Sequence, residues 1–198
     1  MTSPPLSPRA VFLDRDGVLI EDVHLLTRVD QIRILPGVPE ALRRLAQSCF
    51  RLVVITNQTV VARGLASESE VQAVHLELNR QLAVAGGPAI ERFYVCPHHP
   101  KADLPAYRLQ CACRKPAPGM ILQAALELGI DPARSFTIGD RSSDIHAGHR
   151  AGTRTVLVLT GRHRDPAIES AETLDPSVQP DHTSPTLQHA ANWILSVT

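Results

Sequence analysis

Short apolar runs recur along this chain at intervals that each leave room for one helix, and that rhythm restricts the fold more than any other feature. Residues 10–13, 51–55, 90–95, 135–138 and 155–159 read as strands, because runs such as Ala10-Val11-Phe12-Leu13 and Arg51-Leu52-Val53-Val54-Ile55 are short, rich in branched side chains and stop at turn formers. Between them Pro36-Gly37 opens a helix reaching about Ser48, and Ser67-Glu68-Ser69-Glu70 caps an amphipathic helix running towards Ala85. Pro118 to Leu128 forms a helix closed by Gly129, Asp144 to Ala151 one closed by Gly152, and a last helix is expected over about Thr186 to Leu195. Apolar strands alternating with helices predict an α/β, Rossmann-like, doubly wound parallel sheet covered on both faces. The 198 residues are expected to form one domain with one elaborated loop, a flexible tail at 1–8 and a Pro-, Ser- and Asp-rich irregular stretch at about 161–185.

Chemistry in such a sheet belongs outside the carboxyl ends of its strands. There the chain places Asp14-Arg15-Asp16-Gly17, two carboxylates two residues apart, with Gly17 free to make a sharp turn. On its own, a strand followed by Asp and Gly is more commonly a plain turn. Further strand ends add weight: 51–55 stops at Thr56-Asn57-Gln58, and 135–138 stops at Gly139-Asp140, with Asp144 one helical turn later. Between them lies Arg114-Lys115-Pro116. Of 20 Lys plus Arg only Lys101 and Lys115 are lysines, and in a chain that otherwise chooses arginine, a lysine at a site points to its compact charge.

A formal net charge of zero argues against a general nucleic-acid or anionic-membrane surface. The start, Met1-Thr2-Ser3-Pro4-Pro5-Leu6-Ser7-Pro8, has neither the basic beginning nor the apolar core of a signal peptide, and no later run approaches a membrane span. A cytoplasmic enzyme is expected, acting as a monomer without nucleic-acid or membrane partners.

One stretch breaks the rhythm. From Cys96 to Pro118 there is neither helical nor strand period, and such a stretch inside a compact domain needs something to pin it. Cys96-Pro97-His98 and Cys111-Ala112-Cys113 supply three thiolates and an imidazole, the ligand set of a closed tetrahedral zinc site. His98 is preferred because it completes a two-limb Cys-x-His and Cys-x-Cys arrangement; His99 is the alternative. A disulfide is disfavoured without a secretory signal. Cys49, alone at a helix end, reads as a buried small apolar residue.

In order along the chain, Phe12-Leu13-Asp14-Arg15-Asp16-Gly17, Ile55-Thr56-Asn57-Gln58, Cys96-Pro97-His98-His99-Pro100, Cys111-Ala112-Cys113-Arg114-Lys115-Pro116-Ala117-Pro118-Gly119-Met120 and Ile138-Gly139-Asp140 resemble the haloacid dehalogenase superfamily. Within it they are similar to the zinc-containing histidinol-phosphate and heptose-bisphosphate phosphatases, over roughly residues 9–160. The resemblance implies a small zinc-pinned loop with no large cap domain, and an Mg²⁺-dependent phosphomonoester hydrolase. In it Asp14 would be the nucleophile and Asp16 the general acid and base, with Thr56 and Lys115 stabilising the phosphoryl group. Asn57, Arg63, Arg114 and Arg141 would bind substrate, Arg141 standing where relatives commonly carry lysine. Mg²⁺ would be held by Asp14, the Asp16 carbonyl and Asp140, and Zn²⁺ by Cys96, His98, Cys111 and Cys113. Asp144 reads equally as support for the site or as an ordinary N-terminal helix carboxylate. Gln58-Thr59-Val60-Val61-Ala62-Arg63-Gly64 resembles the heptose enzymes' Gln-Ser-Gly-Ile-Ala-Arg-Gly loop, departing at Thr59 and Val60. The substrate expected is a small phosphosugar, a manno-heptose 1,7-bisphosphate losing its 7-phosphate. Histidinol phosphate is the alternative substrate, and a catalytically silent sugar-phosphate-binding protein the alternative class.

Overall fold

The computed structural model describes residues 7–161, Asp175 and 177–198. Its strands are β1 (Arg9–Leu13), β2 (Phe50–Asn57), β3 (Arg92–Cys96), β4 (Phe136–Gly139), β5 (Arg154–Val158) and β6 (His182–Ser184). The helices are α1 (Val38–Gln47), α2 (Thr59–Ala62), α3 (Glu68–Val84), α4 (Gly119–Leu128), α5 (Ser142–Ala151) and α6 (Leu187–Ser196). All strands pair in parallel, in the order β3-β2-β1-β4-β5-β6.

The period of two in each strand sorts its side chains between two cores. Val11 and Leu13 join Leu52, Val54, Phe136 and Ile138 on one face, packed by Leu42 of α1, Leu78 of α3 and Ala190 of α6. Ala10 and Phe12 join Val53 and Ile55 on the other, packed by Met120 and Ala124 of α4 and Ala147 of α5. The doubly wound expectation is therefore met, down to the reciprocal cap of α3, where Ser67 N–H donates to the Glu70 carboxylate at 2.7 Å and Glu70 N–H to Ser67 Oγ at 3.2 Å.

Topology fixes where a ligand can enter. The chain leaves β1 for β2 and β3 on one side, then returns to lay β4 against the other flank of β1. A parallel sheet opens a crevice where its winding reverses, here between β1 and β4. Register brings the strand ends level: Leu13 faces Val54 and Ile138, and the Asp14 N–H continues the ladder to the Ile138 carbonyl at 2.9 Å.

Three expectations need correction or limits. Part of the irregular stretch is strand, since β6 adds to the sheet edge; His182-Thr183-Ser184 lacks the apolar run that marks the other strands. The remainder of that stretch falls largely on 162–174 and 176, and the expected tail on 1–6, outside the described residues. Cys49 is exposed, not buried. It follows the end of α1 at φ 62°, the left-handed position that closes many helices, and its N–H donates to the Ala46 carbonyl at 3.0 Å, so the turn faces the side chain outwards.

Candidate active site

The carboxyl ends of β1, β2 and β4 hold a charge cluster away from water. Asp14, Lys115, Asp140 and Asp144 are each less than a tenth exposed. Lys115 Nζ lies 2.9 Å from Asp14 Oδ1 and 2.5 Å from Asp144 Oδ1, and donates to the Ile55 carbonyl at 2.9 Å. Burial pulls the Lys115 pKa down, but Asp14 and Asp144 more than reverse it, so the ammonium stays charged. Burial, with the Asp14 charge adding and Lys115 opposing, pushes Asp144 up to about 6. Asp144 answers to both of its readings: Oδ2 accepts the Arg141 N–H at 3.1 Å, capping α5, while Oδ1 meets Lys115.

Asp14, Asp140 and Asp144 each offer a carboxylate oxygen within 4.8 Å of the others. Hard oxygen donors carrying more negative charge than Lys115 and the nearby Arg141 offset are a donor set suited to Mg²⁺. Gly17 shapes this floor. Its φ is +82°, and a Cβ there would stand 2.8 Å from Asp140 Oδ2, so only glycine lets the turn pass over that carboxylate.

Asn57 secures Lys115 from behind. Its Nδ2 donates to the Lys115 carbonyl at 3.0 Å and its Oδ1 accepts the Lys115 N–H at 3.1 Å, next to the cis Lys115-Pro116 bond.

Asp16 sits in a second network. The Arg15 guanidinium, 1% exposed, donates through Nη2 to Asp16 Oδ2 at 2.9 Å and to Gln58 Oε1 at 2.8 Å, and its Nη1 lies 3.3 Å from His75 Nε2. Gln58 Nε2 donates to Asp16 Oδ2 at 2.9 Å and to Thr56 Oγ1 at 2.8 Å. Burial first, and then the Arg15 charge, push the His75 pKa down from 6.5 to about 3. In that interval the unfolded chain carries a proton on this imidazole that the folded one refuses. The contribution to stability is complete above pH 6.5 and is lost as pH falls towards 3, by about 1.4 kcal/mol per pH unit. Urea melts of the wild type and His75→Gln between about pH 7 and 4.5 should show the gap moving in the variant's favour on acidification. A gap independent of pH would contradict this.

Two connected spaces open over the cluster: an inner recess of about 50 Å³ and an outer cleft of about 680 Å³. Thr56, Asp14, Lys115 and Asp144 line the recess; Arg63, Lys101, Arg114 and Arg150 line the cleft; Asp16, Asn57, Arg141 and Ser143 line both. Arg141 is turned by Asp22, whose Oδ2 accepts from its Nη2 at 2.7 Å. Arg114 donates to the His98 carbonyl at 3.2 Å, and Arg63 is exposed just after α2. Val60, one departure from the resembling loop, is buried in a small core with Val61, Ala66 and Val71. Asp22, Lys101 and Arg150 were not foreseen at the site; the rarity of lysine was the available signal for Lys101.

Beside the cleft the four expected zinc ligands converge. The Sγ atoms of Cys96, Cys111 and Cys113 lie 3.1–3.5 Å apart, His98 Nδ1 is 3.4 Å from Cys113 Sγ, and all four ligand atoms fall within 4.8 Å of one another. His99 is not in this group; its Nδ1 accepts the Lys101 N–H at 3.0 Å. Burial drives the Cys96 thiol well up, and crowded thiols ionise together only beside a cation. The donors therefore fit zinc, and four of them leave no open position on it. Cys96 ends β3, so one limb is rooted in the sheet.

The HAD-hydrolase-like family model matches residues 112–190. D-glycero-beta-D-manno-heptose-1,7-bisphosphate 7-phosphatase of Rhodopseudomonas palustris is 44% identical over 154 residues, 76% of this chain and 82% of that one. The protein of the same name from Escherichia coli K12 is 39% identical over 163 residues, 82% of this chain and 85% of that one. The crystal structure of D,D-heptose 1,7-bisphosphate phosphatase from B. bronchiseptica, complexed with magnesium and phosphate, superposes with a TM-score of 0.79 at 32% identity, covering 96% of this chain and 99% of that one.

Proposed function

The chain belongs to the family of the heptose-bisphosphate 7-phosphatases, haloacid dehalogenase-like phosphatases, and we propose that it removes the 7-phosphate of D-glycero-D-manno-heptose 1,7-bisphosphate. One observation carries the mechanism: Asp16 stands in the wall shared by the recess beside Asp14 and the large cationic cleft. A phosphoryl group in the recess and a sugar in the cleft would put the scissile oxygen at Asp16.

Asp14 attacks phosphorus, forming an acyl-phosphate bond as the bond to the sugar oxygen breaks; the electron pair stays on that oxygen, which takes a proton from Asp16. The Asp16 carboxylate then accepts a proton from water as the water attacks phosphorus, releasing inorganic phosphate and restoring Asp14. Phosphate-monoester hydrolysis needs acceleration of up to about 10²¹-fold, far beyond the 10²–10⁴ of one general acid, so fixed charge must supply much of it. Lys115 and Thr56 at the recess supply part. Asp14, the Asp16 carbonyl and Asp140 would hold Mg²⁺, which would supply positive charge against the phosphoryl oxygens. Cys96, His98, Cys111 and Cys113 would hold Zn²⁺, which would brace the loop leading to Arg114. We place the reaction in the cytoplasm, with a small phosphosugar as its partner.

Arg63 and Arg114 are the cleft cations assigned to the phosphate that is not cleaved, each worth roughly 1.5–3 kcal/mol as a charge-assisted hydrogen bond. Steady-state assays should give a higher kcat/KM for the heptose bisphosphate than for the monophosphate or histidinol phosphate, by about tenfold or more. Arg114→Ala should shrink that gap more than it lowers monophosphate turnover. Equal or better efficiency on histidinol phosphate would reverse the substrate assignment.

A further inference from the structure

The buried face of α3 is apolar at Val71, Val74, Leu78 and Leu82 and interrupted once, by His75, which is 1% exposed. Its ring stacks on Phe93 at 4.4 Å with 9° between planes, and its Nε2 meets Arg15 Nη1 at 3.3 Å. Because an arginine has only donors, Nε2 must be the acceptor, which puts the ring proton on Nδ1. That atom is buried and has no hydrogen-bond partner among the described residues. A leucine would fill this position without an orphaned polar atom, so packing alone does not account for histidine.

We propose that His75 is a positioning residue for the reaction, an imidazole acceptor that fixes the Arg15 guanidinium and through it the Asp16 carboxylate. The reading rests on Asp16 being the general acid and base. Arg15 grips Asp16 through Nη2 at 2.9 Å and through Nε at 3.3 Å and reaches Gln58 with the same Nη2, and Gln58 returns to Asp16 and Thr56. Of the guanidinium nitrogens only Nη1 points away from Asp16 and Gln58, and His75 is what holds it. Without that acceptor the guanidinium loses the one anchor on its Nη1 side, and the Asp16 carboxylate that it grips can shift with it. The nucleophile is anchored elsewhere, by Lys115 and the Ile138 carbonyl, so loss of His75 should spare attack by Asp14.

p-Nitrophenyl phosphate with Mg²⁺ separates the two. Its nitrophenolate departs without a proton, so the pre-steady-state burst reports Asp14, whereas turnover after the burst needs Asp16 to deprotonate water. His75→Phe keeps ring and stack but removes the acceptor. The burst rate should stay within about threefold of wild type while later turnover slows about ten- to a hundredfold, the scale of a small misplacement of a catalytic group. His75→Gln, which restores an acceptor, should recover most of the loss, and Phe93→Leu, which disturbs the same packing, should not separate the phases. In an Asp16→Ala background His75→Phe should add nothing. Should His75→Phe fail to fold, His75→Asn, too short to reach Nη1, carries the same expectation. Burst and turnover falling together, no change in either, or the same separation from Phe93→Leu would each overturn the role. A wild type that turns over p-nitrophenyl phosphate but not the heptose bisphosphate would sink the substrate proposal and leave this result readable. A wild type inert on both would remove this role with the phosphatase reading.

Discussion

Asp14→Asn should abolish turnover, lowering kcat by roughly four to six orders of magnitude, while the protein stays folded. The amide is nearly isosteric but neither attacks phosphorus nor carries charge for a metal. It also leaves Lys115 paired with Asp144 and bonded to the Ile55 carbonyl. Lys115→Ala is a poorer test, because it strands two buried carboxylates, Asp14 and Asp144, without the cation between them. Breaking a buried ion pair from one side commonly destabilises by about 3–5 kcal/mol, and here that would mix unfolding with lost chemistry. Steady-state rates, a melting temperature close to wild type, and acid-quenched samples that trap phosphoenzyme only with Asp14 present would together check the claim. Retention of a tenth of wild-type activity by Asp14→Asn would refute nucleophilic catalysis at this residue.

Period was enough to find most of the sheet. β1, β2 and β4 are buried on both faces, so their sequences are continuous apolar runs, and the polar residues at their ends stand out against them. His182-Thr183-Ser184 carries no such contrast because an edge strand can draw on backbone pairing with little apolar burial. Cys49 misled because composition ranks cysteine among buried residues, whereas a helix-closing left-handed turn set its direction. At the site, Asp14, Asp16, Lys115 and Asp140 could be found from strand ends and short motifs. Asp22 and His75 could not, since each meets its arginine across a long sequence separation. For His75 a trace existed: it lies on the apolar stripe of α3 at helical spacing, and a histidine in such a stripe more often satisfies a core hydrogen bond than a ligand.

Removing zinc, by chelation or through Cys113→Ser, should weaken substrate selection more than phosphoryl chemistry. Zinc binding stabilises small peptides by about 10–16 kcal/mol, comparable with a domain's total of about 5–15, so metal loss could in principle unfold everything. Here the sheet has two cores of its own, and only the Cys96 limb of the cluster belongs to it. The two functional side chains that follow Cys113 differ in their support. Lys115 is clamped through both backbone groups by Asn57, whereas among the described residues the Arg114 side chain bonds to the carbonyl of His98, itself assigned to zinc. Losing the metal should release Arg114 and leave Lys115 largely in place. The kcat/KM for the heptose bisphosphate should then fall by about ten- to a hundredfold, the worth of one charge-assisted hydrogen bond, and that for p-nitrophenyl phosphate by far less. Far-UV circular dichroism should remain close to native. Equal losses on both substrates would show that the zinc loop supports Lys115 as well, and protein purified without chelator yet free of zinc would eliminate the metal from this account.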